Sequence, residues 1–349
     1  MSVIIGWDVG GAHLKAARIS DGRVEATVQV PCELWRGLDR LKPTIEAARA
    51  LIGDAERHAV TTTGELVDAF SDREAGVVAI TMAMESALSP AEVQIYAGRA
   101  GFVAPDGAPA LWALAASANW HATASVVARH RAEALMIDMG STTTDVVPIA
   151  DGLVRARGMK DHERMVVGEL VYTGLTRTFL MAGPLLAPVG GSWVPLMNEY
   201  FASMADVWRV LGDLDEAYDQ HPTADGREKT AKASASRLAR MVGLDRKDRA
   251  PEDWVRLARW FADGQMRKVE DAIHLVLSAG SFDATPVIVA AGAGRSVLRR
   301  IAARQGMAYE DLSDVIPVAD GAGPGAALCA PAACVGLLLS QQGAGESSP

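Results

Sequence analysis

Two short loops of one chemical kind constrain this chain more than any other feature. The first runs Gly6-Trp7-Asp8-Val9-Gly10-Gly11-Ala12-His13-Leu14-Lys15. The second runs Asp138-Met139-Gly140-Ser141-Thr142-Thr143-Thr144-Asp145. Each follows an apolar run, Val3-Ile4-Ile5 or Ala134-Leu135-Met136-Ile137, that reads as a buried strand. Each is followed by a second strand-like run and then by Asp21-Gly22 or Asp151-Gly152, a tight hairpin signal. Rossmann and Walker loops lead straight into a helix, so strand, glycine loop and returning strand exclude both. The unit occurs twice, which predicts two similar α/β lobes facing across a cleft.

The loops also carry chemistry. Gly10, Gly11 and Gly140 let backbone amides turn toward phosphate oxygens. Ser141, Thr142 and Thr143 add hydroxyl donors, and Lys15 adds a positive charge. Asp8 and Asp138 are the foremost metal candidates, because magnesium prefers carboxylate and water oxygens and neutralises phosphates. Turn capping is the plainer alternative for them. Asp145 reads equally as a further acceptor for that ion or as a loop cap. Gly292-Ala293-Gly294 ends a strand over 286–291 and precedes a helix over 296–305. Helix N-termini favour anions, so Gly292 and Gly294 join the phosphate candidates.

Other candidates lie beyond the loops. Glu65 and Asp68 follow a strand over 58–62, at an edge expected to open on the cleft. Either carboxylate can serve as a general base, although the helix dipole also favours acids there. Lys229, Arg237 and Arg240 share a stripe on a helix over 229–242. They form either a clamp for an anionic substrate or a solvated face. His13 is a phosphate donor or a satisfied loop histidine. Trp112, Trp120, Trp193 and Trp208 line an aromatic pocket or pack in the core.

Composition narrows the class. With 349 residues, 49% hydrophobic and 22% charged, the chain can bury two substantial cores. A net charge of -9 argues against a general nucleic-acid or anionic-membrane binder. Cys32, Cys329 and Cys334 have no zinc-ligand spacing and suit a reducing cytoplasm. No targeting segment is read at the start. Residues 326–339 contain Pro331 and are too short to span a bilayer. Helices are expected over 41–56, 71–88 (with Ser71 as cap), 112–131, 199–212 and 251–279. Residues 181–194 read as irregular. The expected lobes are 1–130, completed by 325–342, and 131–324, with 343–349 a disordered tail.

Together, the Asp8–Lys15 loop, the Asp138–Asp145 loop and Gly292-Ala293-Gly294 resemble the two phosphate motifs and the adenosine motif of the actin/Hsp70/sugar-kinase superfamily. The second loop is similar to its hydantoinase A/oxoprolinase branch. Thr61-Thr62-Thr63-Gly64-Glu65, Thr223-Ala224-Asp225-Gly226 and Arg237-Leu238-Ala239-Arg240-Met241-Val242-Gly243 resemble a narrower family, the methanofuran-biosynthesis synthases and their bacterial relatives. The resemblance implies a two-lobed actin-like ATPase (ribonuclease H-like) fold. It implies a transferase that joins an aminomethylfuran-methyl diphosphate to the phenol oxygen of γ-glutamyltyramine or a tyrosine-like acceptor and releases pyrophosphate. Mg2+ would be the cofactor, and ATP would not be required although the same cleft suits it. Partners would be small molecules, with a homodimer left open. The rivals are a small-molecule kinase, an oxoprolinase-like ATP-driven hydrolase, and a nucleotide-gated scaffold.

Overall fold

The computed structural model describes residues 3–342; the expected tail at 343–349 lies outside them. The chain opens with β1 (Ile4–Val9), β2 (His13–Ser20), β3 (Arg23–Pro31), α1 (Leu41–Ile52) and β4 (Arg57–Thr62). Next come α2 (Arg73–Leu88), β5 (Glu92–Tyr96), β6 (Phe102–Val103), α3 (Trp112–Ala115) and α4 (Asn119–His130). The second half begins with β7 (Ala134–Met139), β8 (Thr144–Ala150), β9 (Leu153–Val154), α5 (Asp161–Val166) and β10 (Leu170–Val171). It continues with β11 (Leu186–Val189), β12 (Ser192–Pro195), α6 (Met204–Leu211), α7 (Ala231–Met241) and α8 (Pro251–Leu277). It closes with β13 (Val287–Ala291), α9 (Arg295–Gln305), β14 (Tyr309–Asp311), α10 (Leu312–Val315), α11 (Gly323–Leu328) and α12 (Ala330–Gln342).

Two sheets of matching plan carry the molecule. One has the order β3-β2-β1-β4-β5-β6 and the other β10-β8-β7-β13-β14. In each, a hairpin pairs antiparallel and the first strand then pairs parallel with a later one, β4 or β13. The duplication is exact in register: Asp8 faces Lys15 across the first hairpin, and Asp138 faces Asp145 across the second. The expected hairpin turns are present, with Asp21, Gly22, Asp151 and Gly152 all at positive φ, as a type I′ turn demands. Both leading strands are buried along their whole length, which explains their unbroken apolar runs. This doubled ribonuclease H-like plan is the two-lobed α/β fold of the actin-like ATPases.

The lobes are joined by packed helices. α12 lies on β1, β2 and β4 and also against α4, which packs on β7, β8 and β9. α4 therefore covers the second sheet although it precedes that sheet in sequence. Closeness of α12 to β1 requires glycine on both sides: a Cβ on Gly6 would overlap the Ala332 carbonyl, and one on Gly336 would press on Ile19. α6, α7 and α8 build a separate core against β8 and β11, around Trp208, Trp254 and Phe261.

Four local expectations need correction. Asp72, not Ser71, caps α2, its carboxylate accepting from the Ala75 amide at 2.8 Å. The helix expected over 112–131 breaks into α3 and α4 around Ser117, whose φ is 51°. The helix expected over 199–212 starts only at Met204, after Ser203. Residues 181–194 are not irregular throughout, because β11 and β12 form a hairpin there. No helix among the described residues is long and apolar enough to cross a membrane.

Candidate active site

Both glycine loops open on one cavity of about 570 Å³ between the sheets. Its walls include Asp8, Gly10, Gly11, His13 and Lys15 from the first unit. The second unit supplies Asp138, Gly140, Ser141, Thr142, Thr143 and Asp145. The loops are superposable in their bonding: the Gly10 amide donates to the His13 carbonyl at 3.0 Å, and the Gly140 amide to the Thr143 carbonyl at 2.9 Å. Each turn closes its loop at the same point of the repeated unit. The second loop is braced from outside. The amides of Leu175, Thr176 and Arg177 donate to the Gly140 and Ser141 carbonyls.

The charges are crowded and dry. Lys15 Nζ stands 3.9 Å from Asp8 Oδ2. Burial pushes the Asp8 carboxyl up to about 6, with Lys15 opposing the shift and Asp145 adding to it. Asp138 rises to about 7, again from burial, against the pull of Lys15. The Lys15 ammonium is held above its usual range by Asp8 and Asp138 in spite of burial. Asp8 Oδ1 is buried with no hydrogen-bond partner among the described residues. A site so rich in under-neutralised carboxylate favours a cation.

Among the described residues, no three His, Cys, Asp or Glu side chains converge into a metal cage. Magnesium is commonly held by one or two carboxylates with water and phosphate completing the shell. Asp8 and Asp138 fit that role. Asp145 is already engaged: its Oδ1 accepts from Arg164 Nη1 at 2.7 Å, and Arg164 is fully buried. The sequence left Asp145 between ion acceptor and loop cap, and its engagement instead is an ion pair.

Glu65 and Asp68 are not equivalent. Asp68 is exposed and lines the cavity. Glu65 is 1% exposed and stands behind the wall. Its Oε1 accepts from Ser117 Oγ at 2.8 Å and from Arg73 Nη2 at 2.7 Å. Arg73 also reaches Ser117 Oγ at 2.7 Å and Asp161 of the second lobe at 3.3 Å. Ser117 and Asp161 line the cavity.

Several candidates lie elsewhere. Lys229, Arg237 and Arg240 are not among the cavity-lining residues. Arg237 is fully buried and donates to Asp206 at 2.8 Å, Asp225 at 3.1 Å and Ser234 at 3.0 Å. Arg240 pairs with Asp225 and Lys229 with Asp219. Arg237 is sealed in the core, whereas Arg240 and Lys229, the latter ahead of α7, stay partly exposed, and none of the three lines the cleft. The stripe pins the 213–228 segment to α6 and α7. Gly292 and Gly294 also miss the cavity wall, packing behind Asp138 and Met139 instead. Their neighbours Ala293, Arg295 and Ser296 line a second cavity of about 580 Å³ with Arg299, Arg300 and Tyr309.

Of the tryptophans, Trp120 lines the cleft beneath Arg164, whose guanidinium carbon stands 4.0 Å from the ring centre. Trp208 is core, bonded to Gln265, and Trp193 is exposed against Trp260. The cleft's main aromatic wall is one that sequence reasoning missed. Trp35 stacks with Arg177, 5.2 Å from ring centre to guanidinium, across the opening. Arg177 also donates to Thr142 Oγ1 at 3.2 Å, and Tyr172 and Phe179 stand nearby in the lining. Only the Thr-Arg-Thr run after β10 hinted at them. His13 is nearly buried in the same wall, pushed down to about 2 by burial and so neutral, with its ring 4.6 Å from His221.

Fold and cleft thus define a two-lobed protein of the actin/Hsp70/sugar-kinase type. The chain belongs to the hydantoinase/oxoprolinase family, whose profile matches residues 56–320. It is similar to the (4-{4-[2-(gamma-L-glutamylamino)ethyl]phenoxymethyl}furan-2-yl)methanamine synthase of Methanocaldococcus jannaschii, at 26% identity over 97% of this chain and 98% of that one. It also matches the protein of the same name from Methanococcus vannielii, 31% identical over 36% of this chain and 55% of that one. Similar solved structures include the activator of the 2-hydroxyisocaproyl-CoA dehydratase from Clostridium difficile, with TM-score 0.46, 13% identity, and coverage of 99% and 98%. Another is the ROK hexokinase from Thermus thermophilus, with TM-score 0.41, 17% identity, and coverage of 97% and 99%.

Proposed function

We propose that this protein is a transferase of methanofuran-type cofactor assembly. It condenses an aminomethylfuran-methyl diphosphate with the phenol oxygen of γ-glutamyltyramine, or a tyrosine-like acceptor, and releases pyrophosphate. The observation that carries this reading is the convergence of Asp8, Lys15, Asp138 and both glycine loops on a single cavity. The name of the archaeal relative, matched over nearly the whole of both chains, supports the substrate pair.

Asp8 and Asp138 would hold Mg2+, which when bound supplies charge neutralisation for a diphosphate leaving group. The chain's own residues do the rest. Lys15 and the loop amides receive the charge that develops on the departing oxygens, in a buried setting where such contacts are strong. Ser141, Thr142 and Arg177 fix the far phosphoryl group from the second lobe. Trp35, Tyr172 and Phe179 give flat apolar surfaces for the furan and phenol rings and keep water from the electrophilic carbon. Electron-rich ring faces also favour the positive charge that builds on that carbon.

A second reading keeps ATP as substrate, for a kinase or an ATP-driven hydrolase. The cavity beside Gly292-Ala293-Gly294 supports it, since it offers space at the start of α9. Purified protein incubated with Mg2+, the furan diphosphate and γ-glutamyltyramine separates the readings. Pyrophosphate and the ether product should form without ATP. Their absence from folded protein, or a strict need for ATP, refutes the proposal.

A further inference from the structure

We infer that Ser117 takes the phenol proton at the cleft surface and passes its own to Glu65 behind the wall. This rests on the transferase reading above and adds its missing base. Glu65 alone cannot meet the substrate, because it is sealed from the cavity. Ser117 meets the cavity and donates its hydroxyl to Glu65 Oε1 at 2.8 Å. Serine and carboxylate therefore already hold the geometry for a two-proton shift.

Backbone conformation points the same way. Among the described residues, three non-glycine residues have positive φ: Asp21, Ser117 and Asp151. Two of them open Asp-Gly hairpin turns, where that conformation is required. Ser117 has no such turn; it sits between α3 and α4 at φ 51°. Strain of this kind persists where the surroundings hold it. Here Arg73 bridges Ser117 Oγ and Glu65 Oε1 and so holds the serine hydroxyl beside the carboxylate. Glu65 Oε2 is buried without a partner among the described residues, and burial holds the carboxyl above its ordinary range, which makes it a better proton acceptor.

The step balances. The phenol O–H proton moves to Ser117 Oγ while the serine proton moves to Glu65 Oε1. The phenol oxygen's electron pair forms the new C–O bond to the furfuryl methylene carbon. The C–O bond to the diphosphate breaks, and its electron pair leaves with pyrophosphate.

Ser117→Gly tests this, because glycine accepts the positive φ without strain and the variant should fold. With γ-glutamyltyramine, kcat/KM should fall about 100-fold, the usual weight of a general base. With a ring-fluorinated acceptor already ionised at the assay pH, the loss should shrink below about tenfold. Glu65→Gln should show the same split. An equal loss with both acceptors would mean a structural role, and no loss would mean Ser117 is idle; either overturns the inference. The same acidity-dependent split in Asp68→Asn, with Ser117→Gly unaffected, would also overturn it and move the base to Asp68. Wild-type protein that forms no product with either acceptor defeats the transferase reading itself.

Discussion

Asp138→Asn should stabilise the ligand-free protein while abolishing its response to Mg2+ and pyrophosphate. Folding lifts the Asp138 carboxyl from 3.8 to about 7, chiefly through burial. Because the folded-state pKa is the higher one, the native state binds a proton that the unfolded chain does not between those values. The penalty is therefore absent below about pH 3.8, grows through the window and is complete above about pH 7. At pH 8 it amounts to about 4 kcal/mol, and at pH 5 to about 2 kcal/mol. Asparagine pays some cost of its own for a buried amide, but that cost does not vary with pH. The stability difference between variant and wild type should thus narrow by about 2–3 kcal/mol from pH 8 to pH 5. Urea denaturation of both proteins, free of divalent cations, measures it. In parallel, Mg2+ with pyrophosphate should raise the wild-type melting temperature and leave the variant's unmoved. A difference that stays constant with pH would refute the argument that Asp138 is a buried, under-neutralised acid. So would a ligand response retained by the variant.

Three further substitutions probe other parts of the argument. Arg237→Ala leaves Asp206 buried without its main partner and should lower stability by about 3–5 kcal/mol in denaturant melts; a normally stable variant with a raised KM would restore the clamp reading. Trp35→Ala removes the ring on which Arg177 stacks and should weaken the acceptor about tenfold, with pyrophosphate inhibition unchanged. Equal weakening of both would place Trp35 beside the diphosphate instead. Gly6→Ala drives a methyl group into the α12 backbone, where no flexible side chain can yield, and should cost about 3 kcal/mol or more in unfolding free energy. A wild-type melt would show that α12 shifts freely.

The fold was largely legible in the sequence because its defining unit is local. A buried strand, a glycine loop, a returning strand and an Asp-Gly turn fit within about twenty residues, and each step has its own chemical signal. The loop residues of the site were legible for the same reason. What failed was everything fixed by distant partners. Arg237 reads as one member of a basic stripe, and only the folded chain brings Asp206 and Asp225 to it. Gly292 looks like a phosphate turn, but it is packed against Asp138 and Met139 and does not itself line the cleft. Trp35 and Arg177 lie far apart in sequence on opposite lobes, so no spacing rule could pair them. Ser117 falls in an alanine-rich run with full helical promise, and the contacts of Arg73 and Glu65 override that promise.

The duplicated register explains how twin pockets come to do unequal work. Lys15 and Asp145 occupy the same position of the same unit, yet one is a cation and the other an anion. In the first lobe the strand aspartate faces its own counter-charge. In the second, two aspartates face each other, and only Asp145 is paired, with Arg164. On the proposed reading, a divalent cation would be drawn toward the Asp138 side, and phosphoryl oxygens toward Lys15. A linked pair of phosphates bound in such a field has a preferred direction, as a leaving group must if the bond to carbon is to break at one end only. On that reading Arg177 and Trp35, which meet across the opening, would select the organic group at that end. Divergence at a single strand position thus converts a symmetric fold into an oriented site.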